Sequence, residues 1–337
     1  MKLMRNIFNV LKRCFLLAAV TVISTLGMAS TSNAAASLGV YEGNGCDGVT
    51  NLAGFTSWFG RQPDHVLDFF ASDSWTSMMN DATWTVSCWK RQNKTVVFSI
   101  PMLPTDGSTL AQGAAGKFDD KFRALAQLLA TNGYGGAIIR LGWEFNGGWY
   151  AWAAKKDPAN WVSYWRRIVT VMRSVQGTSF RFDWCSAQGF QQIAASDVYP
   201  GDSYVDIIGR DHYNQTWATG VVTATDRWNN LLSESYGLNW IQTFAAQHGK
   251  PVSIPEWGTG TRPDGHGGGD DAYFVQQMSA WIRKNNVVYH SYWDFPASDY
   301  DAKLSDGSQP LAAAAYIAAF RSIPKAPTSV AVSKSGS

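Results

Sequence analysis

Apolar residues in this chain fall into short, dense runs separated by longer stretches of helical period. Eight runs read as strands: 37–42 (SLGVYE), 66–70 (VLDFF), 95–100 (TVVFSI), 136–143 (GAIIRLGW), 179–185 (SFRFDWC), 204–210 (YVDIIGR), 251–255 (PVSIP) and 287–293 (VVYHSYW). They are too short for helices and rich in β-branched and aromatic residues, as strands buried on both faces tend to be. Between them the spacing predicts helices. Phe118, Phe122, Leu125, Leu128 and Leu129 share one face of a helix that stops at Asn132-Gly133. Asp157-Pro158 starts the next, with Trp161, Trp165, Ile168, Val169 and Met172 on its apolar side. Residues 233–248, 271–285 and 310–320 repeat the pattern, while 50–60, 74–81 and 191–199 are shorter and less clear. Strand and helix alternating eight times predict an α/β fold of the (β/α)8 TIM-barrel type. A doubly wound open sheet is the competitor, but Glu42-Gly-Asn-Gly-Cys-Asp after the first strand is not its G-x-G-x-x-G phosphate turn.

Two of the strands end in chemistry. The fourth runs through Ile138 and Ile139 to Glu144, Asn146, Trp149 and Tyr150, and the seventh ends in Pro255-Glu256-Trp257-Gly258. In a parallel barrel all carboxyl ends open on one face, so two acids far apart in sequence can converge there. A pair of carboxyl groups about 5 to 5.5 Å apart is what retaining glycoside hydrolysis requires. Glu144 is the candidate acid/base, with Trp143, Phe145 and Trp149 expected to desolvate it and raise its pKa. Glu256 is the candidate nucleophile, with Tyr213 or His212 as a hydrogen-bond donor from the neighbouring strand tip.

Composition narrows the setting. Lys2, Arg5, Lys12 and Arg13 precede an apolar stretch from Cys14 to Met28 and small residues from Ala29 to Ala36. This reads as a secretory signal peptide over 1–35; a retained anchor is the alternative, although the run is short for a spanning helix. A catalytic domain is expected over 36–323, followed at 324–337 by a linker or the first strand of a further β-module. Secreted or periplasmic placement follows, without membrane attachment after cleavage, and a monomer is the default. Net charge is +2 and no basic run is present, which argues against nucleic acid. Sixteen Trp and thirteen Tyr are more than a core needs and suit a polysaccharide partner, whose sugar faces lie flat on aromatic rings. Removing Cys14 with the signal leaves three cysteines; Cys46 follows the first strand and Cys88 precedes the third. A Cys46–Cys88 disulfide above the barrel and a free, buried Cys185 are expected, although sequence does not fix the connectivity.

Trp143-Glu-Phe-Asn-Gly-Gly-Trp149 resembles the fourth-strand signature of glycoside hydrolase family 26, which reads His-Glu-Met-Asn-Gly before an aromatic-rich stretch. Asp211-His212-Tyr213 resembles the Asp-x-Tyr of its sixth strand, Glu256 its seventh-strand nucleophile, and Trp293 its eighth-strand sugar floor. The likeness spans residues 38–322. It implies a (β/α)8 enzyme of the retaining clan, endo-acting on a β-mannan or another β-glycan, with no cofactor and no metal. Trp143, Asn146, Trp149, Tyr150, His212, Tyr213, Trp257 and Trp293 are the expected substrate contacts. Two positions depart from the family: Trp143 stands where His is usual, and no His closes the third strand, where Ser99-Ile-Pro101 stands.

Plainer readings stand beside these. Glu144 could pair structurally with Arg140, and Trp149, Tyr150 and Trp152 could form an apolar lid. His212 could be an ordinary rim histidine with its hydrogen bonds satisfied. The segment Gly265-His-Gly-Gly-Gly-Asp270-Asp271 could ligate a cation, but a flexible loop with Asp270 capping the next helix is the simpler expectation. At the level of function, the alternatives to a hydrolase are a non-catalytic polysaccharide-binding barrel and a transglycosylase acting on a bacterial exopolysaccharide.

Overall fold

A computed structural model describes residues 35–323. Nearly all of the expected leader, and the whole expected tail, lie outside the described residues. The element order is β1 (Ser37–Tyr41), α1 (Gly45–Phe59), β2 (His65–Phe69), α2 (Trp75–Arg91), β3 (Val96–Ile100), α3 (Leu110–Ala114), α4 (Asp119–Thr131), β4 (Ile138–Leu141), α5 (Pro158–Arg173), β5 (Arg181–Ser186), β6 (Ile207–Arg210), β7 (His212–Tyr213), α6 (Ala224–Ser233), α7 (Leu238–Gln247), β8 (Val252–Gly258), α8 (Ala272–Lys284), β9 (Val287–Trp293) and α9 (Pro310–Phe320). All pairings between these strands are parallel. β1 pairs with both β2 and β9, and β6 pairs with β8, so the sheet closes on itself. The two-residue β7 continues β6 beyond Asp211 and pairs with the far end of β8. Nine strand segments therefore make eight staves, and the fold is a (β/α)8 barrel. No helix among the described residues is long and apolar enough to cross a membrane.

Alternation along the strands sorts side chains into two compartments. Outward residues such as Val66, Phe98, Ile139, Phe182, Ile208 and Tyr292 join the apolar layer beneath the helices. The inside of the barrel is far more polar than its strand composition suggests. Ser37 and Ser291 bracket His65 at 2.9 and 3.0 Å. Above them Ser253 donates to Asp183 at 2.6 Å, joined by the Tyr289 hydroxyl. Glycine makes room for these groups: a Cβ on Gly39 would lie 2.1 Å from His65, and one on Gly209 2.3 Å from Asp183. The layered filling expected of a barrel is thus carried partly by hydrogen-bonded side chains.

The helices differ from expectation where capping chemistry intervenes. The periodic stretch 233–248 is helical only over α7, which starts after Gly237. An additional helix, α6, precedes it and is started by Thr223 through a capping box with Asp226. Residues 191–199 form only a short 3-10 turn at Ala195–Val198. Cys46 and Cys88 are bonded, with Cα atoms 5.1 Å apart. The bridge ties α1 to α2, two outer helices, rather than loops above the barrel. Cys185 is free and buried.

Candidate active site

Glu144 owes its position to a backbone kink. β4 stops at Leu141, and both Gly142 (φ 49°) and Glu144 (φ 52°) take the left-handed conformation. For a glutamate this costs on the order of 1–3 kcal/mol and persists only where surroundings enforce it. They do. The Glu144 N–H donates to the Cys185 carbonyl at 2.9 Å, and the Trp152 indole N–H donates to the Trp143 carbonyl at 2.8 Å. The Asn146 amide grips both the carbonyl (3.1 Å) and the N–H (2.8 Å) of Ala187. The strand end is thereby lashed to the neighbouring loop, and the Glu144 carboxylate enters the cleft.

Glu256 is aimed by a β-bulge. Ile254 pairs with His290 and Trp257 with Tyr292, so three residues on β8 match two on β9. Strict alternation would send Glu256 outward and Trp257 inward. The extra residue reverses both, as bulges beside active sites commonly do. Glu256 then receives two bonds. The Tyr213 hydroxyl donates to Oε2 at 2.7 Å, and Arg140 meets Oε1 at 2.7 Å. Arg140 projects into the barrel from β4 and is fully buried. It also pairs with Asp211 and donates to Ser99 at 3.2 Å, while the rings of Phe69 and Trp143 lie 5.5 and 5.4 Å from its guanidinium. Arg140 therefore serves Glu256 and Asp211; it is not the direct ion-pair partner of Glu144.

The two glutamates have different electrostatic settings. Loss of solvent, then the Glu256 charge, push Glu144 up to about 8; Arg140 and the Trp149 indole, which donates at 2.9 Å, pull the other way. Glu256 has a fixed cation and a hydroxyl donor at contact distance. Burial and the adjacent Glu256 raise Tyr213 far above an ordinary phenol, so it keeps its proton as that donor. One carboxyl group suited to donating a proton and another provided with a counter-charge share one cleft of about 780 Å³.

An activity that needs protonated Glu144 should fall as pH rises through about 8. Trp149→Phe removes a hydrogen bond that favours the anion. The alkaline limb of kcat/KM should then move to higher pH, which a pH–rate profile reads directly.

Of the other expected contacts, Trp149, Tyr150, Tyr213 and Trp293 line the cleft. Trp293 lies flat on Tyr41, with ring centroids 4.1 Å apart. Four do not line it. Trp143 is buried and donates its indole N–H to the Tyr150 hydroxyl at 2.9 Å, so it sets a cleft residue rather than being one. Asn146 is consumed by Ala187. His212 lies on the outward side of its strand, stacked over Phe274, and neither ring nitrogen has a partner among the described residues. It is thus neither a cleft residue nor a satisfied rim histidine. Trp257 is turned outward by the bulge, donates to His290 at 3.1 Å and packs on Tyr316 and Phe320. Phe145, expected to desolvate Glu144, instead packs among Trp161 and Trp184 behind the sheet.

The glycine-rich segment also departs from expectation. Asp271, not Asp270, caps α8 by accepting from the Phe274 N–H at 3.0 Å. Asp270 receives the N–H groups of Leu311 and Ala312 at 3.1 and 2.7 Å, at the start of α9. Gln188, Phe190, Trp217, Arg262, Asp299 and Tyr300 line the cleft without being singled out by the sequence, while Asp211 is marked there only by the Asp-x-Tyr motif and Arg140 only as a structural partner of Glu144. For Arg140 the visible signal was a lone arginine inside the apolar run Ile139-Arg140-Leu141.

Comparison with known proteins agrees with this architecture. The sequence model of Glycosyl hydrolase family 26 matches residues 120–248, a stretch that includes Glu144 and Tyr213 and ends before Glu256. A mannan endo-1,4-beta-mannosidase of Bifidobacterium adolescentis is 28% identical over 159 residues, covering 44% of this chain and 15% of that protein. This chain therefore matches only a small part of that curated relative. A modular endo-beta-1,4-mannanase from Cellulomonas fimi superposes with a TM-score of 0.61 at 18% identity, over 87% of this chain and 75% of the other. A Bacillus subtilis mannanase does so with a TM-score of 0.54 at 17% identity, over 83% and 86%. At these identities the structural likeness is one of fold.

Proposed function

From this kinship with glycoside hydrolase family 26, we propose that the chain is a secreted, retaining endo-β-glycanase acting on a β-mannan-like polysaccharide. The observation that carries the reading is the pairing of Glu144, with its raised pKa, and Glu256, held by Arg140 and Tyr213, in one aromatic-lined cleft. A binding barrel has no use for two carboxyl groups so differently set.

In the first step a Glu256 oxygen attacks the anomeric carbon. The glycosidic bond breaks and its electron pair stays on the leaving oxygen, which takes the Glu144 proton. A glycosyl ester of Glu256 and a shortened chain result. In the second step Glu144, now a carboxylate, accepts a proton from water. The water oxygen bonds to the anomeric carbon and the Glu256 carboxylate departs, so that both acids return to their starting states. Trp293, resting on Tyr41, offers a flat floor for the sugar at the cleavage point.

Charge favours a neutral chain. Asp211 and Glu256 share the single cation Arg140, Asp299 adds a further acid to the lining, and the cation among the lining residues, Arg262, is engaged by Asp264 at 3.1 Å. A polyanionic exopolysaccharide would meet repulsion there. Endo action is supported by a second groove of about 560 Å³ that shares Trp149 and Tyr150 with the cleft, leaving room for chain beyond the cleavage point. The test is incubation of purified protein with β-mannan, xylan, mixed-linkage β-glucan and an anionic exopolysaccharide, with sizing of products. New reducing ends with mid-sized fragments from mannan support the proposal; binding without cleavage of any of them contradicts it.

A further inference from the structure

Six large hydrophobic side chains stand exposed among the described residues, and three of them, Trp149 (54%), Phe190 (59%) and Trp217 (56%), line the one cleft that holds both glutamates. Such clustering marks a binding surface rather than chance exposure. Trp149 is already tied to Glu144. Trp217 belongs to a different wall, on the loop after β7. Its support comes from the glycine-rich segment that follows Glu256. The His266 ring stacks on it with centroids 5.1 Å apart, and the Arg262 guanidinium lies 5.2 Å from its centre. Arg262 is itself fixed by Asp264 and by Gln215, to which it donates at 2.9 Å.

The glycines of this segment are there for close approach. Gly267 pairs with Gln215, and the Gly268 N–H donates to the Asn214 carbonyl at 2.7 Å. A Cβ on Gly267 would lie 2.4 Å from the Gly260 carbonyl oxygen, and one on Gly268 2.1 Å from the Asn214 side chain. Two backbones are pressed together with no space for side chains. The segment is a packed buttress, not a slack loop.

We infer that Trp217, braced by Arg262 and His266, is a sugar-binding platform remote from the cleavage point, and that it makes this enzyme favour longer glycan chains. The inference rests on the glycanase reading. It adds a specificity determinant on the loop after β7, supported by the segment from residue 260 to 269.

The experiment compares wild type, Trp217→Ala and Trp217→Phe on mannotriose and mannohexaose, measuring both kcat/KM and calorimetric binding. Wild type should bind and cleave the hexaose better than the triose. Trp217→Ala should lose about tenfold on the hexaose and clearly less on the triose, in KM more than in kcat. Trp217→Phe, which keeps a ring, should recover most of the loss. Equal losses on both lengths, or none on either, would overturn the platform. If wild type binds the hexaose but cleaves nothing, the hydrolase reading fails while the binding comparison still judges Trp217. If wild type binds neither sugar, both fall.

Discussion

Glu256→Ala should reduce turnover of every substrate to background, whereas Glu144→Ala should keep the first step for an activated aryl glycoside and stall at the glycosyl ester. The asymmetry follows from the two steps. Without Glu256 no glycosyl ester forms, however good the leaving group. Without Glu144 the ester can still form from an activated aryl glycoside, and the natural glycan suffers the loss typical of a missing general acid, about 10²–10⁴-fold. Added azide should rescue the two variants to opposite anomers: it attacks the free sugar carbon directly when Glu256 is gone, and the ester when Glu144 is gone. Glu144→Gln carries a second readout. A carboxyl group raised to about 8 in the folded state contributes stability at low pH that is lost as pH climbs from the usual carboxylate range through 8. At pH 8 and above the glutamine variant should therefore denature later in urea than wild type. Equal residual activity of the Glu144 and Glu256 variants on an activated aryl glycoside would remove the distinction between acid and nucleophile.

Arg140→Met is the second large effect, and it should strike stability and activity together. Arg140 is buried among Asp211, Glu256 and Ser99 with no access to solvent. Burial alone would lower its pKa, but Asp211 and Glu256 outweigh that and raise it well above the ordinary guanidinium value. Removing the cation leaves two carboxylates facing each other without a counter-charge. Breaking a buried pair in this way typically costs about 3–5 kcal/mol. The remaining folded enzyme would lack the cation that meets Glu256 Oε1 at 2.7 Å. Its kcat at neutral pH should fall by two orders of magnitude or more, about 2.7 kcal/mol in the barrier. Arg140→Lys keeps the charge but not the fork, and should fall between. A folded Arg140→Met enzyme with wild-type kcat would mean that Arg140 does not hold Glu256 for the reaction.

Much of this molecule was legible in its sequence because its strands are short, apolar and evenly interleaved with helices. Glu144 and Glu256 stood out as acids at strand ends. The errors have physical causes. His212 and Trp257 were read as cleft residues because they flank cleft residues, yet neighbours on a strand face opposite sides. At Trp257 alternation itself gives the wrong answer, because of the bulge between Ile254 and Trp257, for which Pro255, unable to donate to the ladder, is the only cue in residue type. Asn146 and Trp143 are polar-capable residues beside an acid. Whether they touch substrate or brace the loop depends on Ala187 and Tyr150, which are distant in pattern though near in space. Glycine was read as slackness in 265–269, although Gly267 and Gly268 serve close packing against Asn214 and Gly260. Arg140 could have been suspected from its apolar neighbours, but its partners Asp211 and Glu256 lie 71 and 116 positions away in the chain.

If Glu256 becomes glycosylated and Glu144 then activates water on the face opposite that ester, the sugar keeps its anomeric configuration. Proton NMR of the first product released from a β-linked manno-oligosaccharide tests this most directly. The β-anomer should appear first and convert to the α-anomer only by slow mutarotation; initial release of the α-anomer would rule out double displacement at Glu256.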